Sequence, residues 1–397
     1  MTLPRLAQER AWRASLNAME RYYQLHQHLL IGQVSISATA ASPPAPVPAP
    51  AEPEAPGAPE MTEADCARHR VRVFPPESLA EATAALGGMR DQDAKRLRPA
   101  LARAARDDGW RSVPWTVNAA AASAQDPGVG LNPFAEIGPD FDNFRDVIEQ
   151  LSMQWICASH ALNADEARLD PILLLGPPGI GKTRFAHELA RRMGTRMAVY
   201  SAGSAQAAFQ LCGTDSGWSN AKPGIVFDLL AQSDSAAPLL VVDEVDKIGT
   251  WARENPLNAL LDLTEPETAR QYKDWCLQIM FDASKILVIC TANEQAALPT
   301  PLLSRLDVFH VKPPSVTQRM LIIENCFGRL VASHRCRDEL SLDEASISRA
   351  AQTPDLDVRT LLRMVRAGFA AALAAGSDRV ILSPPRRGPG ERRIGFI

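Results

Sequence analysis

Eight consecutive residues, Gly176-Pro177-Pro178-Gly179-Ile180-Gly181-Lys182-Thr183, constrain this chain more than any others. They follow a short apolar run, Pro171 to Leu175, and open a run with helical spacing, Arg184 to Met193. The order is strand, glycine turn, helix. Without a Cβ the glycines let the backbone curl so that successive N–H groups point inward. The start of the following helix adds partial positive charge at the same place. A turn of this kind cradles phosphate. Lys182 would reach the β- and γ-phosphates of a nucleotide, and the Thr183 hydroxyl would join Mg2+. Gly176 through Arg184 are therefore the expected residues for binding ATP.

A second motif lies downstream, in Pro238-Leu-Leu-Val-Val-Asp-Glu-Val-Asp-Lys247. Its apolar run predicts a buried strand that delivers Asp243 and Glu244 to its C-terminal end. An open α/β sheet places its site there. Asp243 suits Mg2+, held through water. Glu244 suits a base that orients and polarises the attacking water.

Strand-like runs at 171–175, 196–201, 238–242 and 286–290 alternate with helical ones, which predicts a parallel sheet with helices on both faces. After Ser315 three helical runs follow, Val316–Ser333, Leu342–Gln352 and Asp357–Ala375, and predict a small all-helical lid. The expected organisation is thus an α/β ATPase domain over 131–314, a lid over 315–376 and a tail over 377–397, read as a loose terminus. Upstream, residues 1–35 carry an amphipathic helical stripe through Trp12, Leu16, Met19, Tyr23 and Leu30. Such a stripe must bury itself, on its own domain or on a partner. Eight prolines between Pro43 and Pro59 make 36–60 an extended linker. Residues 61–130 read as a small helical region of unknown role, with Trp110 and Trp115 anchoring an irregular segment.

Composition matters where it excludes partners. The formal charge is −4, from 42 basic and 46 acidic residues. No obvious basic helix appears, so neither nucleic acid nor a membrane surface is the expected partner. No apolar stretch is long enough to span a membrane, and no secretory core stands at the N-terminus. The seven cysteines are scattered without paired spacing and read as free thiols. A cytoplasmic location is expected.

The two motifs together resemble the AAA+ ATPases, and further stretches are similar to the ATPase module of Lon proteases. These are Asn255 to Asp262, Tyr272 to Leu277, Phe281 to Ser284, Ile289 to Asn293 and Pro301 to Leu306, in the same order and at similar spacing. The resemblance covers roughly 138–375. It implies that Asn293 contacts the γ-phosphate or the attacking water. It implies that Arg305 is an arginine finger reaching the ATP of a neighbouring subunit, and that Arg359 couples the lid to the γ-phosphate. It places Trp218 on a pore loop that grips extended polypeptide, although a Trp packed on its own domain fits the bare sequence too. Trp251 and Arg253 fall where a second pore loop would lie. A homo-oligomeric ring of six subunits is implied, acting on a protein client. The chain ends near where a Lon peptidase domain would begin, so no peptidase activity of its own is expected. A separate protease or adaptor could dock through residues 1–130. Two other readings stay open, an ATPase acting on nucleic acid and an ATP-dependent scaffold or switch.

Overall fold

The computed structural model describes residues 70–115, 132–134, 137, 139–161, 163–203, 207–215, 217–218, 220–248, 256–334, 340–354 and 356–383. The N-terminal stripe, the proline linker, Trp251 and Arg253 lie outside them.

The first described segment opens with β1 (Arg70–Arg72), α1 (Pro76–Gly87), α2 (Asp91–Ala104) and β2 (Trp110–Ser112). β1 and β2 pair antiparallel, with Val71 opposite Arg111. Sequence periodicity predicted helices here and missed this pair, because three-residue strands are too short to show alternation. The segment does not close a core of its own. Its apolar side chains join the core of the sheet that follows. Phe74 meets Phe227 and Phe281 with ring centroids 5.5 Å from each. Arg111 gathers the segment's own carbonyls and adds one polar tie to the part of the chain that follows, through Leu230. It is buried, and its guanidinium donates to the carbonyls of Arg103, Ala104, Arg106, Trp110 and Leu230. The first two are carbonyls at the end of α2, which a cation suits. Burial pushes the Arg111 pKa down, and nearby Arg106 acts the same way.

Next come α3 (Arg145–Ser159), β3 (Ile172–Leu175), α4 (Lys182–Arg192), β4 (Met197–Ser201), α5 (Ile225–Gln232), β5 (Leu239–Asp243) and α6 (Pro256–Thr264). A hairpin of β6 (Tyr272–Asp274) and β7 (Ile279–Phe281) leads to β8 (Leu287–Ala292) and β9 (Asp307–His310). Five strands form one parallel sheet in the order β4-β5-β8-β3-β9. All four residues of β3 and all six of β8 are buried, as expected for strands covered on both faces. Each fully buried aliphatic side chain there contributes about 1.5–3 kcal/mol. The edge strand β9 escaped the sequence reading. Its Asp307 and His310 are exposed and its two apolar residues only half-buried, so its signal is weak.

The lid has a separate core. It consists of α7 (Val316–Ser333), α8 (Glu344–Gln352) and α9 (Val358–Ala375). Each starts on a side-chain cap. Ser315 and Gln318 form a reciprocal box, while Asp343 and Asp357 accept from the N–H three residues on. Gly376, at φ 62°, ends α9. The tail begins differently from its expected loose form. Residues 341–342 and 379–380 pair as short parallel strands. Val380 and Leu382 are buried in the lid core. Gly368 allows this, since a Cβ there would stand 2.6 Å from the Ile381 carbonyl oxygen. Among the described residues no helix is long and apolar enough to cross a membrane.

Candidate nucleotide site

β3 ends at Leu175 and the chain turns at once. Gly176 donates its N–H to Ala292 O at 3.1 Å, which ties the turn to the end of β8. A Cβ on Gly176 would lie 2.4 Å from Val311 O, so this close approach requires glycine. Gly179 and Gly181 adopt φ of 77° and 102°, in the left-handed region. Gly181 is the N-cap of α4 and accepts the first helical bond, from Phe185 N at 2.8 Å. Pro177 and Pro178 are exposed and Ile180 is buried beneath the loop. Thr183 follows, half-buried, in the first turn of α4. Arg184 stacks its guanidinium over the Phe141 ring at 4.9 Å, fastening residues 139–144 beside the loop.

Lys182 is 8% exposed. Its Nζ donates to Gly176 O at 2.6 Å, Pro177 O at 3.1 Å and Asn293 Oδ1 at 3.0 Å. Burial pushes its pKa down, and Asp243, Asp246 and Glu244 oppose that shift. Three acidic side chains therefore face the ammonium closely enough to matter. All three come from the end of β5, while β8, which lies between β5 and β3, delivers Asn293 to the same lysine. Asp243 ends β5. Glu244 leaves the strand in a left-handed conformation, φ 56° and ψ 48°, unusual for a residue with a side chain. Backbone strain of this kind costs about 1–3 kcal/mol and clusters at functional sites. The Glu244 carboxylate is exposed at the end of the sheet.

Two residues that the sequence reading passed over organise this end. Thr291 Oγ1 donates to Asp243 Oδ1 at 2.5 Å and accepts from Glu244 N at 3.1 Å. One hydroxyl thus sets both acidic residues. Asp246 is buried, and its Oδ2 accepts from the N–H groups of Asn293 and Glu294 at 3.2 and 3.4 Å. A faint signal existed for each. Thr291 is a polar residue in the otherwise apolar β8, and Asp246 lies two positions after Glu244.

A magnesium ion fits this end only in company. Among the described residues no group of three or more His, Cys, Asp or Glu could hold a metal alone. One carboxylate, Asp243, and one hydroxyl, Thr183, suit an ion that keeps its waters and arrives on a polyphosphate.

The remaining sequence-derived residues lie elsewhere. β9 runs parallel to β3 with Asp307 opposite Ile172. Arg305, just before β9, is thus at the beginning of the strands, opposite the glycine loop. Its Nε is 3.2 Å from Glu265 Oε2 and its terminal nitrogen donates to Pro301 O at 2.8 Å. Arg359 sits exposed in the first turn of α9, whose first N–H, that of Val358, donates to Gly179 O at 3.1 Å. Trp218 is 62% exposed, 5.7 Å from the Phe209 ring, on a loop closed by Thr214 and Lys222. Asp274, at the base of that loop, accepts from the N–H groups of Gly224 and Leu277.

A parallel sheet, a glycine loop closed by a lysine and an acidic pair at the end of β5, one strand removed, define a nucleotide-binding ATPase domain. Residues 172–314 match the family described as ATPase family associated with various cellular activities (AAA), and the chain carries an AAA domain. Its sequence is similar to the ATPase region of Lon proteases. Lon protease 2 of Sorangium cellulosum is 33% identical over 223 residues, covering 54% of this chain and 28% of that protein. The mitochondrial Lon protease homolog of Mus musculus is 30% identical over 206 residues, covering 52% and 21%. The matched part thus spans under a third of either relative. Among solved structures, a RuvB mutant from Thermotoga maritima aligns with a TM-score of 0.42 at 18% identity, covering 59% of this chain and 66% of that one.

Proposed function

We propose that this chain binds ATP with Mg2+ and hydrolyses it, as a homo-oligomeric ring, to remodel or unfold protein clients. The observation that carries the reading is the convergence at one sheet end. Lys182 Nζ, Asn293 and the Thr291-linked pair Asp243 and Glu244 meet beside a loop shaped for phosphate.

In this reading Lys182 trades its contacts with two loop carbonyls for phosphate oxygens, and the loop N–H groups take the rest. Thr183 and Asp243 would hold Mg2+, which would supply positive charge against the phosphate oxygens. Glu244 holds the attacking water and takes its proton. Asn293, freed from Lys182, orients that water or the γ-phosphate. Arg359 answers the same phosphate from the lid.

Arg305 cannot join its own site. The strands between the two sheet ends span roughly 13 Å, at about 3.3 Å per residue. A finger placed there serves a neighbouring copy, which is why the reading requires a ring. Its six-fold order rests on resemblance to AAA+ proteins alone. Trp218, exposed on a closed loop, offers an aromatic face to many sequences of extended polypeptide. Residues 1–130 are the surface proposed for an adaptor or a separate protease. The reading assigns no peptidase chemistry to any residue.

The test is a trap. Glu244→Gln keeps the magnesium and phosphate contacts and removes the base, so it should bind ATP, fail to turn it over and retain its client through purification. Lys182→Ala should retain nothing. Full turnover in either variant would defeat the site assignment. A Glu244→Gln preparation carrying nucleic acid in place of protein would defeat the client class.

A further inference from the structure

The lid meets the glycine loop through the start of α9. Val358 N donates to Gly179 O at 3.1 Å. The preceding residue, Asp357, uses one carboxylate oxygen as the cap of α9, accepting from Thr360 N at 2.6 Å. Its other oxygen lies against Gly179. A Cβ built on Gly179 would stand 2.6 Å from Asp357 Oδ2 and 2.7 Å from Asp357 Cβ. Glycine is therefore required here twice, for φ 77° and for room.

This contact has two opposed effects on an anion in the loop. A trans peptide unit points its C=O and N–H in opposite directions. With Gly179 O turned to α9, the N–H of Ile180 is turned away from the lid, as a phosphate cradle needs. The same contact sets a carboxylate against the loop. Lys182 does not answer it, since its ammonium is turned to Gly176 O, Pro177 O and Asn293.

We propose that Asp357 is a specificity-determining residue of this site. Its charge weakens polyphosphate binding, and weakens ATP more than ADP. The inference rests on the ATP reading above. Its reason is Coulombic. ATP carries one more negative charge than ADP, so a fixed carboxylate beside the loop repels it more. Lid seating and nucleotide preference are thereby joined in one side chain, which caps the lid helix and lies against the glycine loop.

The cap and the charge can be separated. Asparagine caps a helix about as well as aspartate and is neutral. Calorimetric titration of the full chain with ATP and with ADP, in EDTA so that no turnover occurs, compares wild type with Asp357→Asn. The variant should bind ATP about three- to tenfold more tightly, and ADP with a smaller gain. The gain should shrink as salt is raised from low to high. Asp357→Ser, a second neutral cap, should behave alike, and stands in if the asparagine variant fails to fold. An unchanged ratio of ATP to ADP affinity in a folded neutral variant overturns the proposal, as does equal weakening of both. A wild-type chain that binds neither nucleotide overturns the ATP reading and this inference with it. A wild type that binds both, with a variant that matches it, overturns the inference alone.

Discussion

The same strands end on one side of the sheet in shared hydrogen bonds and strained backbone, and begin on the other in ion pairs. Where β3, β5 and β8 finish, two loop glycines and Glu244 take positive φ, and Thr291 and Asp246 bind backbone N–H groups. Where β3 and β9 start, Arg305 faces Glu265 and Arg168 faces Asp170, in partly exposed pairs of 3.2 Å each. Exposed pairs of this kind are worth about 0–1 kcal/mol and hold their partners loosely. The first end is built for a fixed geometry. The second holds a cation that can change partner. That difference is what the proposed site, divided between two copies, would need, with the binding half rigid and the donated half free to swing.

The largest effect should come from the loose end. Arg305→Ala is expected to lower kcat for ATP about a thousandfold while each subunit still binds nucleotide. Mixing it with Lys182→Ala subunits should restore part of the turnover, since each supplies what the other lacks. Mixtures as inactive as their components would break the divided-site comparison.

Next in size is the tie between the first segment and the sheet. Arg111→Met removes a buried donor shared by five carbonyls and should lower stability by about 3 kcal/mol or more in urea unfolding. A loss under half a kcal/mol would mean that residues 70–115 are not part of the folding unit.

Asp274 tests the base of the Trp218 loop through pH. Burial pushes its pKa up to about 6, against the backbone donors of Gly224, Leu277 and Cys276. In the unfolded chain the value is near 3.9. Folding therefore takes up a proton between about pH 4 and 6. The stability it contributes is full below pH 4 and lost as pH rises through 6. Asp274→Asn should remove that component, read as a flatter dependence of the urea midpoint on pH across this window. An unchanged slope would show that the carboxyl titrates normally.

The smallest effect sharpens the rigid end. Thr291→Val removes the hydroxyl that sets Asp243 and Glu244 and should lower kcat about tenfold with little change in KM. A change confined to KM would mean that Thr291 acts on binding rather than on the orientation of the acidic pair.

Much of this was legible in the chain. Leu-rich β3, the glycine spacing and Asp243-Glu244 behind four apolar residues can be read as local pattern, because strand burial and positive φ are local demands. The strand β9 and the pair β1 and β2 were not, being short and half-exposed. Nor were Thr291, Asp246 and Asp357. Each acts through a partner far along the chain, and no periodicity carries that.

The residues therefore determined, unaided, where the chain turns, which runs are buried and which side chains are chemically able to hold phosphate. Tertiary structure decided who meets whom. Lys182 reaches Asn293 across 111 residues because β8 lies between β5 and β3. Arg305 is kept from the same place because β9 starts where β3 starts. The physical reason is that hydrophobic pattern encodes how deeply a residue is buried and not the identity of its neighbour. Neighbours are settled by strand order, which only the packed sheet and its helices select.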